Sequence, residues 1–276
     1  MMRKFSRQGL FFSVLLPLLF AAAWQFIAVT IDKPTILPRL DGVAYVLLHP
    51  TTKILITGSL IENTAISLIR VSLGFLLAAA VAVPLGMLMG YFRTAEKFFD
   101  STVEMLRPIP PLAWVPLILA WFGIKGIADV IPQLGSSVIL SGIQISTLMI
   151  IFIGAFFPIL LSTIQGVKNI PKEYIESART LGAKRFGLLF KVLVQASLPS
   201  MVTGLRIGMG IGWMCLVAAE MMPGSSAGLG YLIWYAYELL RADIIVAGMI
   251  VIGFIGFLMD WGFRRIEGRI SWANRM

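Results

Sequence analysis

The residues of this chain that could do chemistry are few, and they sit where enzymes rarely keep them. There is one histidine, His49, and one thiol, Cys215, which excludes the usual zinc ligand sets. Cys215 lies inside an apolar stretch, cannot form an intrachain disulfide, and reads as an inert buried thiol. Gly224-Ser225-Ser226-Ala227-Gly228 matches the G-x-S-x-G pattern of a nucleophile elbow. That device needs a strand, a sharp turn, a helix and a histidine base. Here the pattern falls between two apolar stretches, where a flexible turn is the simpler reading. The chain has no glycine-rich phosphate loop ending in Lys-Ser or Lys-Thr, so it is not expected to hold ATP in that way. No catalytic residue, metal or cofactor is expected.

The remaining candidates are charges inside apolar stretches, which are costly in hydrocarbon and usually face protein or water. Arg70 and Arg206 could each form a structural bond or reach the headgroups, or could instead face a central path and attract an anion. Glu220 closes an apolar stretch and could pair with Arg241 or shape an outer mouth. Met209, Trp213 and Met214 lie near the middle of the same stretch as Arg206. Packing is the ordinary role for such residues; closing a path is the sharper one.

The elements that would position these residues are membrane helices. Of 276 residues, 58% are hydrophobic and 13% charged, against roughly 25% charged in a soluble domain; mean hydropathy is +0.88. Apolar stretches at 10–31, 64–91, 109–123, 138–164, 200–222 and 243–263 predict about six spans. The third is short and carries Pro110, Pro111 and Pro116, which a membrane helix tolerates when neighbours satisfy the freed carbonyls. Residues 43–63 are mixed in polarity and are expected to lie along a membrane surface. Residues 1–30 mimic a signal peptide, but the apolar run exceeds a signal core, so a retained first helix is expected.

The formal charge of +9 is confined to short gaps between spans, which argues against nucleic acid as a partner. With the N-terminus in the cytoplasm, segments 1–9, 92–108, 165–199 and 264–276 hold 3, 3, 6 and 4 Lys or Arg, or 16 of 23. The outer segments hold five. That imbalance places both termini inside. Gly204, Gly208 and Gly212 recur every four residues on one face of the fifth span, and Gly86 and Gly90 do likewise in the second, a spacing that lets helix backbones approach closely.

The longest cytoplasmic loop, 165–199, predicts a short helix over about 171–181: Pro171 at its start, Glu173 in its first turn, Gly182 as its stop. Tyr174, Ile175, Ala178 and Leu181 share one side; Lys172, Glu173, Glu176 and Arg179 occupy much of the rest. Such a helix could rest on its own bundle or on headgroups, or dock into a groove on a cytoplasmic partner.

Glu176-Ser177-Ala178, three residues and Gly182 resemble the EAA loop of binding-protein-dependent ABC importer permeases. So do LRPIPPLAWVPLILAWFGI at 106–124, GAFFPILLSTIQGV at 154–167, TGLRIGMGIGW at 203–213, LVAAEM at 216–221 and GLGYLI at 228–233. These blocks are similar to the subfamily serving nitrate, sulfonate, taurine and bicarbonate. The chain departs from the family in having Ser177 for alanine, Gln195 where many members have proline, and roughly twenty extra residues within 125–150. The resemblance implies an all-α polytopic bundle of the type I ABC importer permease fold. It implies one domain over 1–276, with its core at about 60–265, in the inner membrane. It also implies a second permease copy, two cytoplasmic ATPase subunits and an extracytoplasmic solute-binding protein. Tyr174, Ile175, Glu176, Ser177, Ala178, Leu181 and Gly182 would then couple ATP hydrolysis to transport. A passive channel or secondary transporter is the rival reading, and would call for more ionisable residues at mid-membrane.

Overall fold

The computed structural model describes residues 7–53, 56, 58–123, 126, 143–183, 185–188, 192–222 and 224–273. Its helices are α1 (Arg7–Ile31), α2 (Leu40–Leu48), α3 (Leu60–Tyr91), α4 (Arg93–Leu106), α5 (Val115–Phe122), α6 (Ile145–Lys168), α7 (Lys172–Thr180), the one-turn α8 (Arg185–Leu188), α9 (Val194–Glu220), α10 (Leu229–Glu238) and α11 (Ala242–Ala273). A 3-10 turn, Pro111–Trp114, leads into α5. Four of these, α3, α6, α9 and α11, are long and apolar enough to cross a membrane. The bent pair formed by α4 and the 3-10/α5 segment makes a fifth candidate.

α6 is the axis of the bundle, with α3 packed on one side and α9 on the other. Small residues make that packing close. A methyl group on Gly86 would stand 2.9 Å from the Leu160 carbonyl oxygen, and one on Gly208 would stand 2.7 Å from Ile159 Cγ1 and 3.0 Å from the Ala155 carbonyl oxygen. Gly204 meets Ser162 in the same way, whereas Gly212 has ordinary contact distance to Ile151. Thus two of the three glycines predicted to line α9 are held by backbone approach, and the third has room for a methyl. On the opposite face of α9, Gly210 has nothing within 4 Å. Gly208→Ala is therefore expected to cost about 1–3 kcal/mol by overpacking, and Gly210→Ala to stabilise by about 0.5–1 kcal/mol through helix propensity. Thermal unfolding of the purified protein in detergent compares them, and equal midpoints would remove close packing as the reason for Gly208.

The third span differs from expectation. Only 109–123 reads as apolar, but its helix is the second half of a bent pair that begins at Arg93, the two halves meeting at 86°. Pro108, Pro110 and Pro111 cause the break: each lacks an N–H, and each biases its predecessor away from helix. α4 is charged on one side, while Val103 and Phe99 on the other pack with Phe75, Ala78 and Ala82 of α3. Residues 92–108, a cytoplasmic segment by their charge, therefore contain α4, the charged half of a broken span or re-entrant loop.

α3 opens on a capping box: Ser59 Oγ accepts from the Glu62 N–H at 3.2 Å, and Glu62 Oε2 accepts from the Ser59 N–H at 2.9 Å. α2 buries Val43 and Val46 and packs on α11. Much of the extra segment within 125–150 lies outside the described residues, so the re-entrant turn considered for it does too. Its flanks are tied in: Gly126 bridges Gln144, and the Gln144 amide donates to the Gly224 carbonyl.

Candidate functional site

Asn63, Ser67 and Arg70 follow one another at spacings of four and three, so α3 presents all three on one face. They meet the end of α9 and the start of α10. Arg70 Nη1 donates to Glu220 Oε1 at 2.9 Å and to the Ala227 carbonyl at 2.7 Å. Both side chains of this pair have 0% exposure. Ser67 Oγ lies 2.8 Å from Glu220 Oε2 and accepts from the Leu229 N–H at 2.9 Å. The Gly228 N–H donates to Asn63 Oδ1 at 2.8 Å, and the Gly230 N–H to Glu220 Oε2 at 3.0 Å. The first N–H groups of α10, which a helix cannot bond internally, are thus satisfied by α3 and by a carboxylate placed where the helix dipole favours it.

Two glycines permit this. Gly228 has φ +115°, and a side chain there would collide with the Glu220 carboxylate; one at Gly230 would collide with the Val217 carbonyl. The G-x-S-x-G stretch is the connection into this clasp. Ser225 Oγ donates to the Ala227 carbonyl at 3.1 Å, and α9 leads into the stretch, so the strand of a nucleophile elbow is not there. Glu220 does not pair with Arg241, which instead holds Asp243 at 2.7 Å. Arg70 and Glu220 are therefore buried partners in the clasp, rather than side chains lining an open path.

The other pathway candidates separate. Trp213 is buried and its indole N–H donates to the Ile252 carbonyl at 3.3 Å. Met209 packs against the core between α9 and its neighbours. Arg206 donates to Glu267 Oε2 at 2.8 Å, and Thr203 donates to the same carboxylate at 2.6 Å, tying α9 to α11. Only Met214, 71% exposed, stands on an open face. Cys215 is buried against Gly154.

The feature missed from sequence is the break itself. It lines a cavity of about 390 Å³ with Arg107, Ile109 and Pro111 on one side and α6 and α9 on the other. The Arg-Pro-x-Pro-Pro run was the available signal: a cation beside prolines at the start of an apolar stretch.

α7 spans Lys172–Thr180 and buries none of its residues. It ends in a Schellman motif: the Gly182 N–H donates to the Arg179 carbonyl at 2.9 Å and the Ala183 N–H to the Ala178 carbonyl at 3.0 Å, with Gly182 at φ +82°. Tyr174 is 63% exposed and Leu181 88%. Two contacts link this end of the molecule to α3 and α4. Arg179 reaches the Tyr91 hydroxyl at 3.5 Å, and Lys168 pairs with Glu96 at 2.5 Å.

A closely similar helical arrangement occurs in the MetNI methionine ABC transporter in an inward-facing conformation. The TM-score is 0.63 at 17% identity, covering 76% of this chain and 95% of that one. At that identity the likeness speaks for the fold alone, which is that of a type I ABC importer permease. Sequence carries the rest. The chain is 53% identical over 274 residues to an ABC transporter permease protein of Methanocaldococcus jannaschii, covering 99% of this chain and 96% of that one. It is 35% identical over 214 residues to the taurine transport system permease protein of Escherichia coli, covering 78% and 71%. Residues 82–272 match the binding-protein-dependent transport system inner membrane component family, and the chain belongs to it. It is the membrane-spanning permease of an ABC importer, and its family works with an ATPase and a solute-binding protein.

Proposed function

We propose that this permease pairs with a second copy of itself, that two ATPase subunits seat α7 of each copy, and that the cargo is a small organic or inorganic anion. The chain is one transmembrane domain with its importer core at about 60–265. Both termini and the 165–199 loop face the ATPases, and the solute-binding protein delivers cargo at the α10 end. The chain itself catalyses nothing; ATP is hydrolysed by its partners.

One observation carries the docking assignment. α7 is closed by a glycine cap, yet it buries none of its residues, and Tyr174 and Leu181 stand open to solvent. Burying each such side chain in a partner groove contributes about 1.5–3 kcal/mol, which supports docking over a free helix. Tyr174, Ile175, Glu176, Ser177, Ala178, Leu181 and Gly182 then form the contact. The orientation is supported by the 16-to-5 imbalance of Lys and Arg. Arg107 moves out of the cytoplasmic group, leaving 15, and the bias stands. The taurine relative supports a sulfonate-like cargo.

The test is mass spectrometry of what co-purifies with the tagged permease after gentle extraction from its own membranes. An ATPase in one-to-one ratio, with two permease copies per particle, is the expected result. Recovery of the permease alone, with transport persisting in ATP-free vesicles, would overturn the proposal in favour of a channel or carrier.

A further inference from the structure

We infer that Arg107, at the break between α4 and the 3-10 turn, is the residue that meets a small oxyanion on its way through the membrane. This rests on the permease reading above and names the binding group within it.

Depth is the first argument. The cavity beside Arg107 is walled by Ile153, Phe157 and Leu161 of α6 and by Ile207 and Ile211 of α9, residues from the middle of both helices. Backbone rise agrees. Gly123, just past α5, accepts from Ser146 Oγ in the first turn of α6 at 2.5 Å. Counting back through α5 and the 3-10 turn places the break roughly 20 Å inward from there. From the opposite side, α4 begins next to Tyr91, and its Phe99 and Val103 pack with Phe75, Ala78 and Ala82 of α3, inward of that helix's end. The break is level with the middle of α6 and α9.

Charge is the second argument. The arginines of the crossing elements include Arg70, Arg206 and, at the break, Arg107. Arg70 is neutralised by Glu220 and Arg206 by Glu267. Among the described residues no carboxylate lies within 4.0 Å of Arg107, and none lines its cavity. Glu104, one turn back, is exposed and forms no ion pair with it. A guanidinium at this depth needs a counter-charge or water, and its planar fork matches the paired oxygens of a sulfonate, nitrate or bicarbonate. Among the described residues the one hydroxyl on the cavity wall is that of Ser162 and the other side chains besides Arg107 are apolar, which suits a small anion with a short hydrocarbon tail and offers a cation no carboxylate.

The test uses the complete importer, with its ATPase and binding protein, in proteoliposomes. ATP-driven uptake is followed for labelled taurine, nitrate and bicarbonate, with choline as the cationic control. The wild type is expected to take up at least one of the oxyanions. Arg107→Gln should lower that uptake by about tenfold or more, with the ATPase still co-purifying in the wild-type ratio. In a Cys215→Ser background, Arg107→Cys should regain uptake on modification with an aminoethyl thiosulfonate and not with a sulfonatoethyl one, a charge dependence that a purely structural role would lack. Wild-type uptake by Arg107→Gln, or equal rescue by both reagents, would overturn the assignment. A wild type that moves choline and none of the oxyanions would overturn the ligand class and leave the importer reading intact. Absence of both ATP-driven uptake and bound ATPase would overturn the two together.

Discussion

Glu220→Ala is expected to destabilise the folded permease by about 3–5 kcal/mol, because it leaves the Arg70 guanidinium buried without its carboxylate. The loss is not confined to one ion pair. Glu220 also accepts from the Gly230 N–H and lies beside Ser67 Oγ, which accepts from the Leu229 N–H. Removing the carboxylate therefore strips the first turn of α10 of part of its cap. Glu220→Gln keeps the shape and one acceptor and should fall between the wild type and the alanine variant. Arg70→Met combined with Glu220→Gln should recover part of the loss of Glu220→Ala alone, since no charge is then left unpaired. Denaturation of the purified protein in detergent measures all of these. A Glu220→Ala variant within about 1 kcal/mol of wild type, the usual size of an exposed pair, would show that the clasp is dispensable.

The second large effect is expected at the end of α7. Gly182 adopts φ +82°, a conformation that costs a non-glycine residue about 1–3 kcal/mol. Gly182→Val should therefore either unwind the Schellman turn or tilt Leu181 off its face. If α7 is what the ATPase grips, that strain corresponds to a loss of about five- to a hundred-and-fiftyfold in the docked population. Uptake should fall accordingly while ATP hydrolysis continues. Glu176→Lys reverses charge on the same helix without touching its cap, and should give the same uncoupling by a different route. Both variants are read by the ratio of solute taken up to ATP hydrolysed in proteoliposomes. An unchanged ratio in both would remove α7 as the point of coupling.

Hydropathy located the long helices well. The stretches at 64–91, 200–222 and 243–263 correspond to α3, α9 and α11, with ends differing by up to ten residues because polar caps and amphipathic last turns lie outside the apolar window. α7 was legible to within a residue at each end, since proline, acid and glycine mark its boundaries chemically. α4 was not. Its charges make it read as a loop, and only the spacing of Phe99 and Val103 hints at a buried side. Each charge of the Arg70–Glu220 pair was visible as an anomaly in an apolar stretch. Their pairing spans 150 residues and depends on how α3 and α9 meet across α6, which no local pattern encodes. The nearer Arg241 was the natural guess, and it is taken by Asp243, two residues away.

The elbow at 86° turns α4 into a lever. Its near end is held to the end of α6 through Lys168 on Glu96, beside the Tyr91 of α3 that Arg179 of α7 reaches; its far end leads to Arg107. The arm is roughly 20 Å long, so a swing of about 10° about the near end would carry the guanidinium roughly 3–4 Å, more than one hydrogen-bond length. Because the prolines at the elbow remove the backbone bonds that would stiffen the joint, α5 need not follow. Phe99 and Val103 hold α4 on α3, so a movement at the membrane surface that shifts Arg107 has to work against that packing.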